Sequence, residues 1–251
     1  MERSVITRKK RVDFLRVPID ILSGDDLEES VKEMLASKEF HQIVLLNLKG
    51  LLRARRNMEF LYCLKHASLV LPVSGSIVRG AKFLRRGALN RFMPFDFTIK
   101  LLGILEKYKH TLYLLGHKKE LLVKAETNLR ASFPDIRLVG RFNGYFPKQN
   151  QKDILTAVKK ASPSLLLAGG GLPKKNLWIY SNRKNFNPGI FMWAGPCFDV
   201  FSGKKSRPSR QLWEKGLDFL PALLSHPWRI VNIFVYLYYW IILLIYRIGG
   251  L

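Results

Sequence analysis

Four apolar segments of the chain end in residues suited to holding a phosphorylated ligand. The ends are Asn47 after HQIVLL, Val73-Ser74-Gly75 after SLVLP, Gly116-His117 after TLYLL, and Gly169-Gly170-Gly171 after SLLLA. In an open parallel sheet, ligands settle at the carboxyl ends of strands, and the helix N-terminus that follows favours an anion. Glycine at such a turn allows close backbone approach. A chain that only has to turn tightly uses the same residues, so a phosphate cradle and a plain turn both stand. His117 lies where an imidazole could act as a base, or where it simply sits at the surface or beside phosphate. Asp25 and Asp26 could form an acidic metal pair, or supply the negative charge that suits a helix start. GxGxxG and GxSxG are absent, which removes a dinucleotide fingerprint and a nucleophile elbow.

Alternating strands and helices must position these ends. VDFLRVPIDIL reads as a strand or the start of a hairpin, and SGDDLEESVKEMLAS as a helix capped by Ser23. HQIVLLN is a strand, MEFLYCLKHA a helix, SLVLPV a short buried strand and GSIVRGAKFLRRG a helix. TLYLLG to RASF reads as strand, turn and helix; IRLVGRFNGYF as a strand; DILTAVKKA as a helix; SLLLAGGG as a strand. LPKKNLWIYSNRKNF starts a helix, and GIFMWAGPCFDVFSG is a strand and turn. The alternation predicts an α/β fold with a mainly parallel sheet and helices on both faces. One α/β domain is expected over residues 1–202 and a membrane-facing appendage over 203–251.

The 251 residues are 48% hydrophobic, so a substantial core is available. The net charge of +23 calls for an anionic partner. Zinc-finger spacing and RNA-binding signatures are missing, so no nucleic-acid partner is expected. Lipid headgroups and phosphorylated substrates remain. Cys63 and Cys197 are distant and flanked by apolar residues, as reduced buried thiols would be. The N-terminus lacks the apolar core of a secretory signal. The bulk of the protein is expected on the cytoplasmic face of the inner (plasma) membrane.

The tail carries the membrane expectation. Residues 203–229 are basic and aromatic, and Ile230 to Tyr246 hold no charge. A helix of that length rises about 25 Å, against roughly 30 Å of hydrocarbon. Tyr236, Tyr238, Tyr239 and Trp240 lie mid-run, and such residues favour the headgroup boundary. A monotopic or re-entrant helix, a short span, and a helix buried in an oligomer are all open.

Taken in order, the segments resemble the WecG/TagA/CpsF family, glycosyltransferase family 26. RVDFLRVPIDIL resembles the opening strand motif, Asn47 the pocket asparagine, and ASLVLPVSGSIVRGAKFL the segment containing Asp-Gly. RFMPFD, with Arg91 and Asp96, resembles the family's R-x-x-G-x-D. YLLG through RFNGYF, LLLAGGGLPKKNLWI, FDVFSGKKSRPS and GLDFL complete the match, over about residues 11–229.

The resemblance implies a Rossmann-like GT-E glycosyltransferase fold. It also implies inverting transfer from a UDP-sugar to a polyprenyl-diphosphate-linked sugar, in surface polysaccharide synthesis, with no bound metal or other cofactor. Donor contacts would fall on Asn47, Arg91, Gly116, Gly169, Gly171, Lys174 and Lys175. Lipid-diphosphate contacts would fall on Arg207, Arg210 and Arg229, whose guanidinium groups offer paired donors.

The chain departs from the pattern at the expected general base. Val73 stands where the family has aspartate, and valine cannot take a proton. Lys175 and Asn176 replace Gln and Glu of the PKQE motif, and Pro94 replaces a glycine. Asp96 could take over as base, and Asp199 reads as a turn residue. The alternative is a non-catalytic scaffold that holds a lipid intermediate or a partner glycosyltransferase.

Overall fold

The computed structural model describes residues 10–23, 26–216 and 232–249. It opens on an antiparallel hairpin of β1 (Arg11–Phe14) and β2 (Val17–Asp20). Leu15 and Arg16 form its two-residue turn, both with left-handed φ (53° and 67°). That geometry matches the right-handed twist of paired strands. Asp20 ties the hairpin down: its carboxylate accepts from Arg11 Nε (2.6 Å) and Nη2 (2.7 Å) and from the Val70 amide (2.6 Å).

The main sheet has six parallel strands: β3 (Phe40–Leu46), β4 (Leu69–Pro72), β5 (Thr111–Leu115), β6 (Arg137–Phe142), β7 (Leu165–Ala168) and β8 (Gly189–Trp193). Their spatial order is β4-β3-β8-β7-β5-β6. Helices cover both faces, so the central strands carry apolar residues at successive positions rather than in alternation. On one face Ile43, Leu71, Leu114, Leu167 and Met192 meet α1 (Asp26–Ala36), α5 (Pro94–Lys107), α6 (Lys119–Ser132) and α9 (Gly195–Phe201). On the other, Val44, Leu46 and Val70 meet α2 (Leu48–Ala54), α3 (Met58–His66) and α4 (Gly75–Phe83). Leu115, Leu166 and Phe191 meet α7 (Gln151–Ala161) and α8 (Asn176–Ser181) there. The expected Rossmann-like α/β architecture is present.

Local signals explain most boundaries. Ser23 Oγ accepts from the Asp26 amide (3.1 Å), and Asp26 Oδ2 accepts from the Ser23 amide (3.2 Å). This reciprocal cap starts α1 and uses Asp26 as a helix-start charge; Asp25 lies outside the described residues. Several segments differ from the sequence reading, beginning with helix α2 (Leu48–Ala54), where no element is expected after the strand ending at Asn47. None is expected between Gly87 and Thr111 either, yet α5 fills this stretch, opened by Pro94 and buried through Phe97, Leu101, Leu102 and Leu105. The stretch after β8 is a helix, α9, rather than a turn. Proline in a first helical turn loses no needed amide, so Gly195-Pro196 starts a helix as readily as it bends a loop.

Past α9 the chain forms α10 (Arg210–Glu214) and, further on, α11 (Asn232–Ile248). Helix α11 packs beside α4. Its Tyr239, Ile242 and Leu243 are buried, with Val235 and Tyr246 against the same core. The Tyr239 hydroxyl donates to the Ser76 carbonyl (2.8 Å), and Gly80 leaves the space the ring occupies. Among the described residues no helix is long and apolar enough to cross a membrane.

Candidate functional site

The carboxyl edge of the sheet divides into two halves. At β5, β6 and β7 the loops pack backbone against backbone. A Cβ at Gly116 would sit 2.5 Å from the Gly169 nitrogen, one at Gly144 would overlap the Gly170 carbonyl oxygen, and one at Gly171 would lie 2.6 Å from the Gly144 carbonyl carbon. Gly116 also has φ 136°. The tight-turn reading of Gly116 and Gly171 thus has a concrete cause, since with Gly144 they let three loops interlock, while a Cβ at Gly169 would press on the Phe198 ring (3.0 Å).

Beside them His117 and Asp199 are paired, with Nε2 and Oδ1 3.0 Å apart. His117 Nδ1 accepts from the Lys118 amide (2.9 Å), so Nε2 carries the hydrogen that Asp199 receives. Asp199 lies in α9 rather than a turn, and it also binds Lys204 (3.4 Å) and Lys205 (2.8 Å). Burial raises its carboxyl, but hydrogen bonds from Lys205 and His117, with the lysine charges, outweigh that and hold it below the usual aspartate value.

At β4, β3 and β8 side chains dominate. Asn47 caps α2, its Oδ1 accepting from the Gly50 amide (2.8 Å). Val73 follows β4, its amide bonded to the Leu46 carbonyl (2.9 Å) and its carbonyl accepting from Arg91 Nε (3.1 Å). Arg91 also donates to the Trp213 carbonyl (2.8 Å) and stacks over the Trp213 ring at 4.4 Å. Arg79 comes in from α4. Its Nη1 and Arg91 Cζ lie 3.1 Å and 3.7 Å from where a Gly75 Cβ would stand. Two guanidinium groups therefore border the strand end at Val73. Arg79 is not among the residues that the motifs single out; along the chain it is one basic residue among the many behind the net charge of +23.

Lys174 and Lys175 follow β7 with left-handed φ (55° and 54°). Each such non-glycine residue costs about 1 kcal/mol or more. Lys174 pairs with exposed Glu59 (3.5 Å), while Lys175 Nζ stands 4.9 Å over the Trp193 ring at the end of β8. Next to them Asn176 Oδ1 is buried without a protein partner.

A basic segment straps the two halves together. Lys204 and Lys205 hold Asp199 near β5, Arg207 reaches Asp96 at the start of α5 (2.9 Å), and Trp213 lies under Arg91 near β4. Arg207 also stands 5.5 Å over the Phe95 ring. Arg210 faces outward and pairs with Glu214 (2.8 Å); Arg229 lies outside the described residues. Cys63 and Cys197 are free and buried, and burial pushes their thiols up to about 12 and about 11. Among the described residues no group of His, Cys, Asp and Glu could hold a metal ion.

A Rossmann-like sheet with a cationic carboxyl edge has the charge and the strand-end geometry that suit a phosphorylated ligand. The model of the glycosyl transferase WecG/TagA/CpsF family matches residues 12–249, and the chain belongs to that family. Among curated relatives it is similar to the N-acetylglucosaminyldiphosphoundecaprenol N-acetyl-beta-D-mannosaminyltransferase of Bacillus subtilis (strain 168). The two are 24% identical over 176 residues, covering 70% of this chain and 68% of the relative.

Proposed function

We propose that the protein is a membrane-associated, inverting glycosyltransferase. It moves a hexose or N-acetylhexosamine-type sugar from a UDP donor to a polyprenyl-diphosphate-linked acceptor, at the cytoplasmic face of the inner membrane. The observation that carries this reading is the arginine-lined strand end at Val73, closed on one side by the strap that bears Arg207. Arg79, Arg91 and Lys175 supply positive charge for the diphosphates of donor and acceptor.

In this reading Arg207 has two partners. Without substrate it neutralises Asp96; with the acceptor bound it turns to the diphosphate and leaves Asp96 free. The acceptor hydroxyl oxygen then attacks the anomeric carbon, the bond to UDP breaks with its electron pair, and Asp96 takes the hydroxyl proton. Asp96 replaces the missing base at Val73. The family relationship and the curated relative support the lipid-linked acceptor.

The scaffold reading rests on two features: Val73 offers no base, and Asp96 is held in an ion pair. Release of UDP, assayed with a panel of UDP-sugars and a polyprenyl-diphosphate-linked N-acetylglucosamine, separates the two. Turnover that Asp96→Asn abolishes is expected. Turnover that appears only in Val73→Asp identifies a disabled enzyme and sinks the Asp96 role.

A further inference from the structure

Trp193 ends β8 and takes no part in the transfer step. Its strand lies where the sheet changes direction. β3 and β8 are neighbours, yet α2 leaves β3 on one face and α9 leaves β8 on the other. In an open parallel sheet a ligand sits in the crevice between two such strands. Asn47 stands on one side of that crevice and Trp193 on the other.

The indole is fixed in place. Its N–H donates to the Gly169 carbonyl (3.1 Å). A Cβ at Gly195 would overlap the ring, so the glycine there leaves the ring its space. Trp193 is nonetheless only partly buried, unlike Ile190, Phe191 and Met192 before it. A large, oriented aromatic surface at a strand end can receive a flat ring. Lys175 now covers it, with Nζ 4.9 Å above the centroid. Two successive left-handed residues, Lys174 and Lys175, carry the ammonium there (φ 55° and 54°). Strain of this kind gathers at ligand clamps, where the surrounding structure imposes it.

Position along the edge selects the part of the donor that meets this ring. With the diphosphate on Arg79 and Arg91, the sugar belongs at Val73 and Asp96, where the bond exchange takes place. Only β3 separates β4 from β8, and two strand spacings make roughly 10 Å. The pyranose hangs from the β-phosphate through one oxygen and stays beside it. The uracil is held off by the α-phosphate and the ribose, so it is the part that extends to β8. We propose that Trp193 is the uracil platform of the donor site: the nucleobase stacks on the indole, and Lys175 leaves the ring for the diphosphate. Base and ammonium compete for one aromatic face, and phosphate is the stronger partner for the ammonium. Lys175 therefore covers the ring when no nucleotide is bound and neutralises phosphate when one is.

This inference rests on the UDP donor proposed above, and its test needs no turnover. The full chain is titrated calorimetrically with UDP, uridine and pyrophosphate. Trp193→Ala is expected to weaken UDP about tenfold to a hundredfold. Trp193→Phe restores most of that loss, and pyrophosphate binds both variants as it binds the parent. Should the alanine variant unfold, Trp193→Leu keeps an apolar side chain against the core and carries the same expectation. Lys175→Ala weakens UDP but strengthens uridine, because it uncovers the ring while removing a phosphate contact. UDP affinity that stays unchanged without the indole overturns the proposal. So does a Lys175→Ala variant that binds uridine more weakly. A parent that binds no UDP overturns the donor reading itself, whereas a parent that binds UDP regardless of residue 193 overturns this inference alone.

Discussion

The two halves of the carboxyl edge use their residues in opposite ways. Around β5, β6 and β7 the chain spends glycines, and they make loops interlock with almost no room between backbones. Around β4, β3 and β8 it spends arginine, lysine and tryptophan, and they leave charged side chains at the edge. Glycine at a strand end is thus an ambiguous mark of phosphate binding, because the same small residue serves packing. Convergent guanidinium groups are a firmer mark, since gathering like charges is unfavourable without an anion to share.

Substitutions at glycine test this contrast most severely. Gly144→Ala pushes a methyl into the Gly170 carbonyl and close to the Gly116 and His117 backbones, none of which is a flexible side-chain end. A loss of about 2–4 kcal/mol in urea unfolding is expected. Gly75→Ala meets Arg79 Nη1 first, the mobile end of a long side chain, and should change stability by less than about 1 kcal/mol. Equal effects at the two sites would erase the distinction between the halves.

Arg207→Ala probes the strap instead. Its ion pair with Asp96 is exposed, so stability should move by less than about 1 kcal/mol. A charge-assisted contact to a diphosphate is worth more, and kcat/KM should fall about tenfold to a hundredfold. A variant with full activity would confine Arg207 to the resting structure.

The smallest effect belongs to the anchor of the strap. The Asp199 carboxyl is depressed when folded, so its contribution is present above the ordinary aspartate value of 3.8 and fades as pH falls through the lower folded value. Urea midpoints of the parent should drop slightly more than those of Asp199→Asn between pH 5 and pH 3. Parallel pH profiles would show that the His117 and lysine contacts contribute nothing.

Much of the fold is legible along the chain because its causes are local. Both-face burial makes the strands read as short apolar runs, as in LVLP and LLLA. Ser23 announces a helix start through its own side chain, whereas Asn47 reads along the chain as a strand end and only the structure shows it capping α2. Helix α5 was equally legible, with Pro94 at its start and leucines at helical spacing, but its leading RFMPFD reads first as a motif. Arg207 and Asp96 each appear in the sequence as candidates for different roles. Nothing in it pairs them, since 111 residues separate them.

The sequence by itself determined the α/β class, the excess of positive charge, the buried thiols and an apolar last helix. These follow from composition and from periodicities of a few residues. Only the tertiary structure decided which strand ends interlock, which arginines border Val73, and which face of α11 stays bare. Those outcomes depend on strand order and on contacts such as Tyr239 to Ser76, 163 residues apart, where no local pattern records the partner.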